Sequence, residues 1–531
     1  MKTVGEALVR LLEAHGVDTV FGIPGVHTIE LYRGLAGSPI RHVTPRHEQA
    51  AGFMADGYAR ATGRPGVALL ITGPGLTNAI TAIAQARADS VPMLVISGVN
   101  RLDSLGRGLG HLHELPDQRA LMRSVCLMSE RVERPQDLGE TVGRAFDRLA
   151  SGRPGPVHIE IPLDVMGLPA GDLSLEAAPR PRPAMPAKAE RDRAVETLAQ
   201  ARRPAILIGG GARGAPNAVA RLAERLDAPV ISAANARGIM HGHRLAVPAS
   251  PSLKAVRALL AGSDAVLALG TEMGPTDYDV YADGGMPALA NLVRVDCDGD
   301  QLEKTPCAVA LRGDAAATAS ALVLALGDGG DGSAGAGAER ARQARDDAWD
   351  EIGQRTRAHV GALKAIRSAV PGATIVGDST QAIYAGNLFY DHDRPGGWFN
   401  AATGYGALGY GPPAAIGAAL GRPGAPVICL SGDGGMQFVL AELGTAVDEG
   451  APVIFVVWNN RGFQEIETSM RAAGIVPVGV RPSAPDFCAV ATAYGMAAER
   501  IDALADLGAA VARARRAGGP ALIELAGAPE L

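Results

Sequence analysis

Short apolar runs rich in branched side chains alternate along this chain with longer stretches of helical periodicity. Residues 4–15 place apolar side chains at helical spacing, 19–21 read as a short strand, and 46–60 read as a helix. Strands covered on both faces are expected at 66–71, 92–97 and 157–162, where the apolar runs are nearly continuous. The same rhythm returns at 204–208, 229–232, 265–269 and 292–296, and again at 427–431 and 456–458. This alternation predicts an α/β chain of three doubly wound parallel-sheet domains, at residues 1–170, 190–326 and 350–531. The Pro-rich segment 178–186 and the Gly-rich segment 327–337 are expected to link them.

Composition narrows the picture mainly by exclusion. With 531 residues, 47 % of them apolar and 20 % charged, the chain has ample material for buried cores and is not disordered in character. A net charge of −6 without any Lys/Arg-rich run argues against nucleic acid and membrane surfaces as partners. The first residues do not read as a signal peptide, and no apolar run reaches membrane-spanning length. Five scattered cysteines fit neither a disulfide framework nor CxxC metal spacing, so the cytoplasm is the expected compartment.

The chemistry concentrates where two predicted strands end, one at Gly432-Asp433-Gly434-Gly435 and the other at Asn459-Asn460. Ligands of open parallel sheets gather outside the carboxyl ends of the strands, which would bring Asp433 and Asn460 together. A carboxylate and an amide oxygen suit Mg²⁺, which completes its octahedron with phosphate oxygens and water. The glycines admit a phosphate close to the backbone, and a helix from Met436 onward is expected to point its N-terminus at the anion. The plain alternative for Asp433 is a helix cap.

Gly-Asp-Gly followed at this spacing by Asn-Asn resembles the diphosphate–magnesium motif of the thiamine diphosphate enzymes. Arg46-His47-Glu48-Gln49-Ala50-Ala51 resembles the segment carrying their cofactor-activating carboxylate. The resemblance implies thiamine diphosphate and Mg²⁺ as cofactors, the metal held by Asp433, the Asn460 side chain and the Gly462 carbonyl. It implies that Glu48 bonds N1′ of the aminopyrimidine and favours the tautomer whose 4′-nitrogen takes the C2 proton. In that family the resulting ylid attacks a 2-oxo carbonyl, and the ring holds the electrons as an enamine once CO₂ leaves. Apolar neighbours of Glu48 (Ala50, Ala51, Phe53, Met54) are expected to desolvate it and raise its pKa, the alternative being a solvated glutamate in a first helical turn. Further cofactor contacts implied by family-like segments are Gly73, Asn78, Thr380, Gln381, Gly406, Leu408, Gly432, Gly434, Gly435 and Phe463. Leu408 matches the bulky residue that bends the cofactor. Because the family divides each site between subunits, a homodimer or homotetramer is implied.

Residues that would choose the reaction are less sharply marked. His27, His113 and Gln118 join Glu48 as catalytic candidates, with His111 and His47 as neighbours of lesser standing. The broad pattern is similar to acetolactate synthase large subunits. However, their flavin-contacting Arg-Phe-Asp-Asp-Arg is replaced at 270–279, and their Trp-Gln after the Asn pair is replaced by Phe463-Gln464-Glu465-Ile466-Glu467-Thr468. Several loops look more like bacterial decarboxylases of 5-guanidino-2-oxopentanoate, whose cationic tail could pair with Glu465 or Glu467, or with Glu114. The expected activity is therefore non-oxidative decarboxylation of a 2-oxo acid, with acetolactate-type carboligation as the alternative. A GxGxxG pattern at 209–214 leaves FAD or dinucleotide binding in the central domain as another class. It is read here as a tight turn, because the next strand ends without the acidic residue that holds a ribose. A non-catalytic homologue is the third class, against which intact Glu48, Asp433 and Asn460 argue.

Overall fold

The computed structural model describes residues 2–177, 179, 181–276, 285–327 and 335–526. Parts of both expected linkers, and residues 277–279 of the segment compared with a flavin motif, lie outside the described residues. Continuous apolar runs do form strands covered on both faces, and they assemble into three six-stranded parallel sheets. The first contains β1 Thr19–Gly22, β2 Arg41–Val43, β3 Gly66–Leu70, β4 Met93–Val99, β5 Met128–Arg131 and β6 Pro156–Pro162. The second contains β7 Pro204–Ile208, β8 Val230–Ser232, β9 Ala246–Val247, β10 Ala265–Leu269, β11 Leu292–Asp296 and β12 Val309–Arg312. The third contains β13 Thr374–Gly377, β14 Trp398–Asn400, β15 Val427–Gly432, β16 Val453–Asn459, β17 Ala497–Ile501 and β18 Ala521–Ala526.

The first and third sheets have the same order, β2-β1-β3-β4-β6-β5 and β14-β13-β15-β16-β18-β17. The second runs β12-β11-β10-β7-β8-β9, which is the order of dinucleotide-binding sheets. Alternate residues of each central strand feed different cores. In β15, Val427 and Cys429 enter one cluster while Ile428 and Leu430 enter another.

The outer domains share one of these cores. The Glu48–Thr62 helix lies across the Gly411–Gly421 helix so closely that only glycine fits at two crossing points. A Cβ on Gly57 would sit 1.9 Å from the Ala414 carbonyl oxygen, and one on Gly417 would sit 1.9 Å from that of Met54. Beside the crossing, buried Arg60 pairs with Asp56 at 2.7 Å and Asp89 at 2.6 Å, while the Tyr410 hydroxyl donates to Asp56 at 2.5 Å. Buried charges persist only when paired in this way. The packing fixes the C-terminal ends of both outer sheets within one body.

Candidate active site

In the third domain, β15 ends at Gly432 and the chain turns helical at Asp433, not at Met436 as expected; the helix is one short turn, Asp433–Gln437. Its brief run adds little dipole, so an anion here would rest on individual backbone N–H groups. Asp433 is buried, and burial pushes its carboxyl up against backbone hydrogen bonds from Asn460 and Gly462. Among the described residues its Oδ2 has no hydrogen-bond partner.

The amide of Asn460 explains what this carboxylate faces. Its Nδ2 donates to Gln464 Oε1 at 3.3 Å, an oxygen that also accepts from Gln381 Nε2 at 2.9 Å and Arg355 Nη2 at 3.1 Å. The other end of the amide then lies 3.1 Å from Asp433 Oδ1 and 2.7 Å from the Gly462 carbonyl oxygen. Reversing the amide would let it donate to both, but would set its oxygen against that of Gln464. The donors gathered on Gln464 support the first arrangement, in which three hard oxygens face one another. A divalent cation among them resolves that repulsion, so the donor set fits Mg²⁺.

These ligands open on a cleft of about 370 Å³ that is lined also by Thr380, Gln381, Gly406, Leu408, Gly432, Gly434, Gly435, Phe463 and Glu465. Two glycines are forced by their neighbours. A Cβ on Gly434 would come within 2.4 Å of the Phe463 ring, and one on Gly435 within 2.8 Å of the Asp378 carboxylate. Asp378, which sequence reasoning passed over, is fully buried and accepts from the backbone of Ser379 at 2.8 Å and Gly409 at 2.9 Å, and from Ser431 Oγ at 3.3 Å. It thus ties together three segments of the cleft wall. Burial pushes its pKa up to about 6. Its place at the end of β13 was the available signal.

In the first domain, Glu48 opens its helix with His47 as cap, and its Oε2 accepts from Asn78 Nδ2 at 2.9 Å. Phe53 and Met54 are fully buried, whereas Glu48 is only half-buried in the single chain. The expected desolvation of Glu48 therefore does not come from its own helix. Nearby, the His27 and His113 rings meet edge to face at 5.1 Å, each with a buried Nδ1 that has no partner among the described residues. Burial, and then the neighbouring His113, push the His27 pKa down. The carbonyl of His113 lies against Gly73, where a Cβ would approach to 2.4 Å.

The descriptions of known families agree with this division. Residues 2–121 match the N-terminal TPP binding domain of thiamine pyrophosphate enzymes, 191–322 the central domain, and 378–525 the C-terminal TPP binding domain. The chain belongs to the thiamine pyrophosphate enzymes. It is 46 % identical over 510 residues to "Probable 2-ketoarginine decarboxylase AruI" of Pseudomonas aeruginosa, covering 95 % of this chain and 90 % of that relative. It is 32 % identical to the acetolactate synthase isozyme 3 large subunit of Escherichia coli, across 93 % of this chain and 89 % of that protein. It is 31 % identical to the acetolactate synthase large subunit IlvB1 of Mycobacterium tuberculosis, across 97 % and 86 %.

Within this thiamine pyrophosphate enzyme, a single chain gathers the candidates into two groups. The cleft is walled entirely by residues 379–466, and Glu48, Gly73, Asn78, His27, His113 and Gln118 are not on it. Three expectations need correction. Gln118 cannot offer its amide to a ligand as placed: it accepts from Gly73 N at 3.1 Å and donates to Gly98 O at 3.0 Å and Glu160 at 2.9 Å, which makes it a brace for the Gly73 loop. Glu467 is held by Arg471 and Arg481, each at 2.7 Å, and those guanidinium groups bring its pKa down to about 2. Glu114 is occupied capping the backbone of Leu109, Gly110 and His111. Glu465 alone of these glutamates lines the cleft, where it is exposed and has no ion pair among the described residues.

Proposed function

We propose that this chain is a Mg²⁺-dependent 2-oxo acid decarboxylase acting on 5-guanidino-2-oxopentanoate, with each active site completed by a second copy. The observation that carries the metal-dependent reading is the convergence of oxygens from Asp433, Asn460 and Gly462 at the mouth of a glycine-lined cleft. When bound, the coenzyme supplies a carbon nucleophile and an electron sink for decarboxylation. Asp433, Asn460 and Gly462 would hold Mg²⁺ and, through it, the diphosphate. The backbone at Gly432–Gly435 would approach the phosphates closely, and Leu408 would support the bend between the rings. Glu48 would hold a proton at pyrimidine N1′, with Asn78 fixing its carboxylate. His27 and His113, whose rings meet edge to face, would pass protons to and from the product.

Shared sites are supported by the separation of the two groups and by apolar side chains left open near both. Val26 and Leu112 are 72 % and 64 % exposed beside the histidine pair, and Phe438 and Val476 are 60 % and 80 % exposed in the third domain. Apolar area of this kind is covered in oligomers. Among the described residues no helix is long and apolar enough to cross a membrane, and a cytoplasmic location remains our reading.

The substrate assignment is supported by the relative named for 2-ketoarginine and by Glu465 on the cleft wall, which has no ion pair among the described residues. The synthase relatives support carboligation as the second reading. The test is a panel of 2-oxo acids supplied with thiamine diphosphate and Mg²⁺, scored for CO₂ and organic product. Aldehyde from the guanidino acid is expected; acetolactate from pyruvate instead would transfer the assignment to the second reading. The order of the central sheet and its edge cleft of about 380 Å³ make flavin worth the same preparation, read as visible absorbance.

A further inference from the structure

The helix that carries Glu48 begins at that residue, so the carboxylate's aim follows from where the backbone of Arg46 and His47 is set. That backbone is held from the third domain. Glu442, first residue of the Glu442–Asp448 helix, is 1 % exposed, and its Oε1 accepts from Arg46 N at 2.9 Å across 396 residues of chain. Its Oε2 accepts from Thr445 Oγ1 at 2.7 Å, so both carboxylate oxygens are directed. Burial pushes the Glu442 carboxyl up, against hydrogen bonds from Thr445 and from the backbone of Arg46 and His47. A buried carboxylate persists only where its oxygens are met in this way.

The same helix also seats the Arg46 side chain. Its Asp448 pairs with Arg46 Nη2 at 2.6 Å, while Arg46 Nη1 donates to Thr445 Oγ1 at 3.4 Å and to Thr44 O at 3.2 Å. Gly444 leaves room for this guanidinium, since a Cβ there would lie 3.2 Å from Nη2 and 2.8 Å from the Tyr494 ring. Leu443 and Ala446 enter the core shared with Ala50, Ala51, Phe53 and Met54. The helix follows closely on the Asp433–Gln437 turn, so one short segment presents Asp433 to the cleft and grips the approach to Glu48. Arg41 and Glu449, 2.6 Å apart, add only a surface pair beside it, of the kind that contributes little.

We propose that Glu442 is a positioning residue for Glu48, fixing the backbone at Arg46 and His47 and thereby setting where the Glu48 carboxylate meets the pyrimidine nitrogen. The proposal rests on the proton-holding role given above to Glu48 and adds the residue that aims it. Glu442 does not line the cofactor cleft, so it acts only through the chain segment it holds.

The test measures hydrogen–deuterium exchange at C2 of thiamine diphosphate bound to the Mg²⁺-loaded enzyme, beside the coenzyme Kd from calorimetry. Glu442→Ala is expected to slow exchange about tenfold to a hundredfold, the range for a misplaced catalytic group, while the Kd changes less than about threefold. Glu442→Gln, which keeps an acceptor for Arg46 N, should restore most of the rate. Should Glu442→Ala fail to fold, Thr445→Val, which removes only the donor to Oε2, should show a smaller fall of the same kind. Glu449→Gln, which breaks the surface pair alone, should exchange as wild type does. Wild-type exchange in Glu442→Ala, a fall only in step with coenzyme binding, or an equal fall in Glu449→Gln would overturn the positioning role, and the reading of Glu48 would stand provided Glu48→Gln still loses exchange. If Glu48→Gln itself exchanges at the wild-type rate, the reading of Glu48 fails and takes the positioning role with it.

Discussion

The first and third domains place six strands in the same order, yet the ends of those strands do opposite kinds of chemistry. After β15 and β16 the backbone itself is the instrument: close glycines, a carbonyl oxygen and two short side chains frame a cleft. In the first domain side chains dominate, with Glu48 fixed by Asn78 and the Gly73 loop braced by Gln118. One edge suits an inorganic anion and its cation, the other an aromatic ring with a proton to exchange. Identical topology therefore supplies position, and the residues after each strand supply function. On the proposed reading a single chain holds both halves without closing either, since the shared core between them joins helix backs at Gly57 and Gly417.

The contrast breaks most visibly at the two carboxylates. Glu48→Gln should lower kcat about a thousandfold, within the range of lost acid–base catalysis, while calorimetry still finds the cofactor bound. Asp433→Asn should abolish Mg²⁺-dependent cofactor binding itself; equal binding by both variants would erase the distinction between the halves. Gln464→Leu tests how the metal ligand is aimed. With no oxygen to hold Asn460 Nδ2, apparent Mg²⁺ affinity should fall about tenfold to a hundredfold in a cofactor-binding titration. An unchanged Mg²⁺ requirement would mean that Asn460 orients itself without help.

Smaller effects probe the scaffold. Gly57→Ala drives a methyl into the Ala414 carbonyl and should cost about 1–3 kcal/mol in denaturant unfolding, with no comparable cost expected at Gly37, where a Cβ meets nothing. His158 lies buried between Ser97 and Ser129 with its pKa pushed down to about 3 by burial. Because its folded value lies below the ordinary 6.5, its contribution is complete above that pH and is lost as pH falls toward 3, at about 1.4 kcal/mol per unit. His158→Gln should flatten this part of the acid limb in melts between pH 6.5 and 5; an equally steep limb would place the protons elsewhere.

Reading the sequence recovered buried strands such as β4 and β16 because a strand covered on both faces must be almost wholly apolar; β13 and β18, equally buried, were not among the expected strands. Strands at the sheet edges escaped that logic. In β12 burial alternates, and β17 is mostly exposed, so neither carries a continuous apolar run. The Gly-Asp-Gly turn and the paired asparagines were legible because each lies at the end of a strand in sequence. Asp378 and Gln464 were not, because their partners come from distant segments: Asp378 meets Gly409 and Ser431, and Gln464 meets Arg355. Glu467 looked as suitable as Glu465 until Arg481, far along the chain, was seen to hold it.

That two copies are needed to unite Glu48 with Asp433 can be tested by co-expressing Glu48→Gln and Asp433→Asn chains, each inactive alone. Random pairing places one intact Glu48 opposite one intact Asp433 in every mixed dimer, and about a quarter of wild-type decarboxylase activity should return. Mixed dimers that are purified and remain as inactive as either parent would contradict the account.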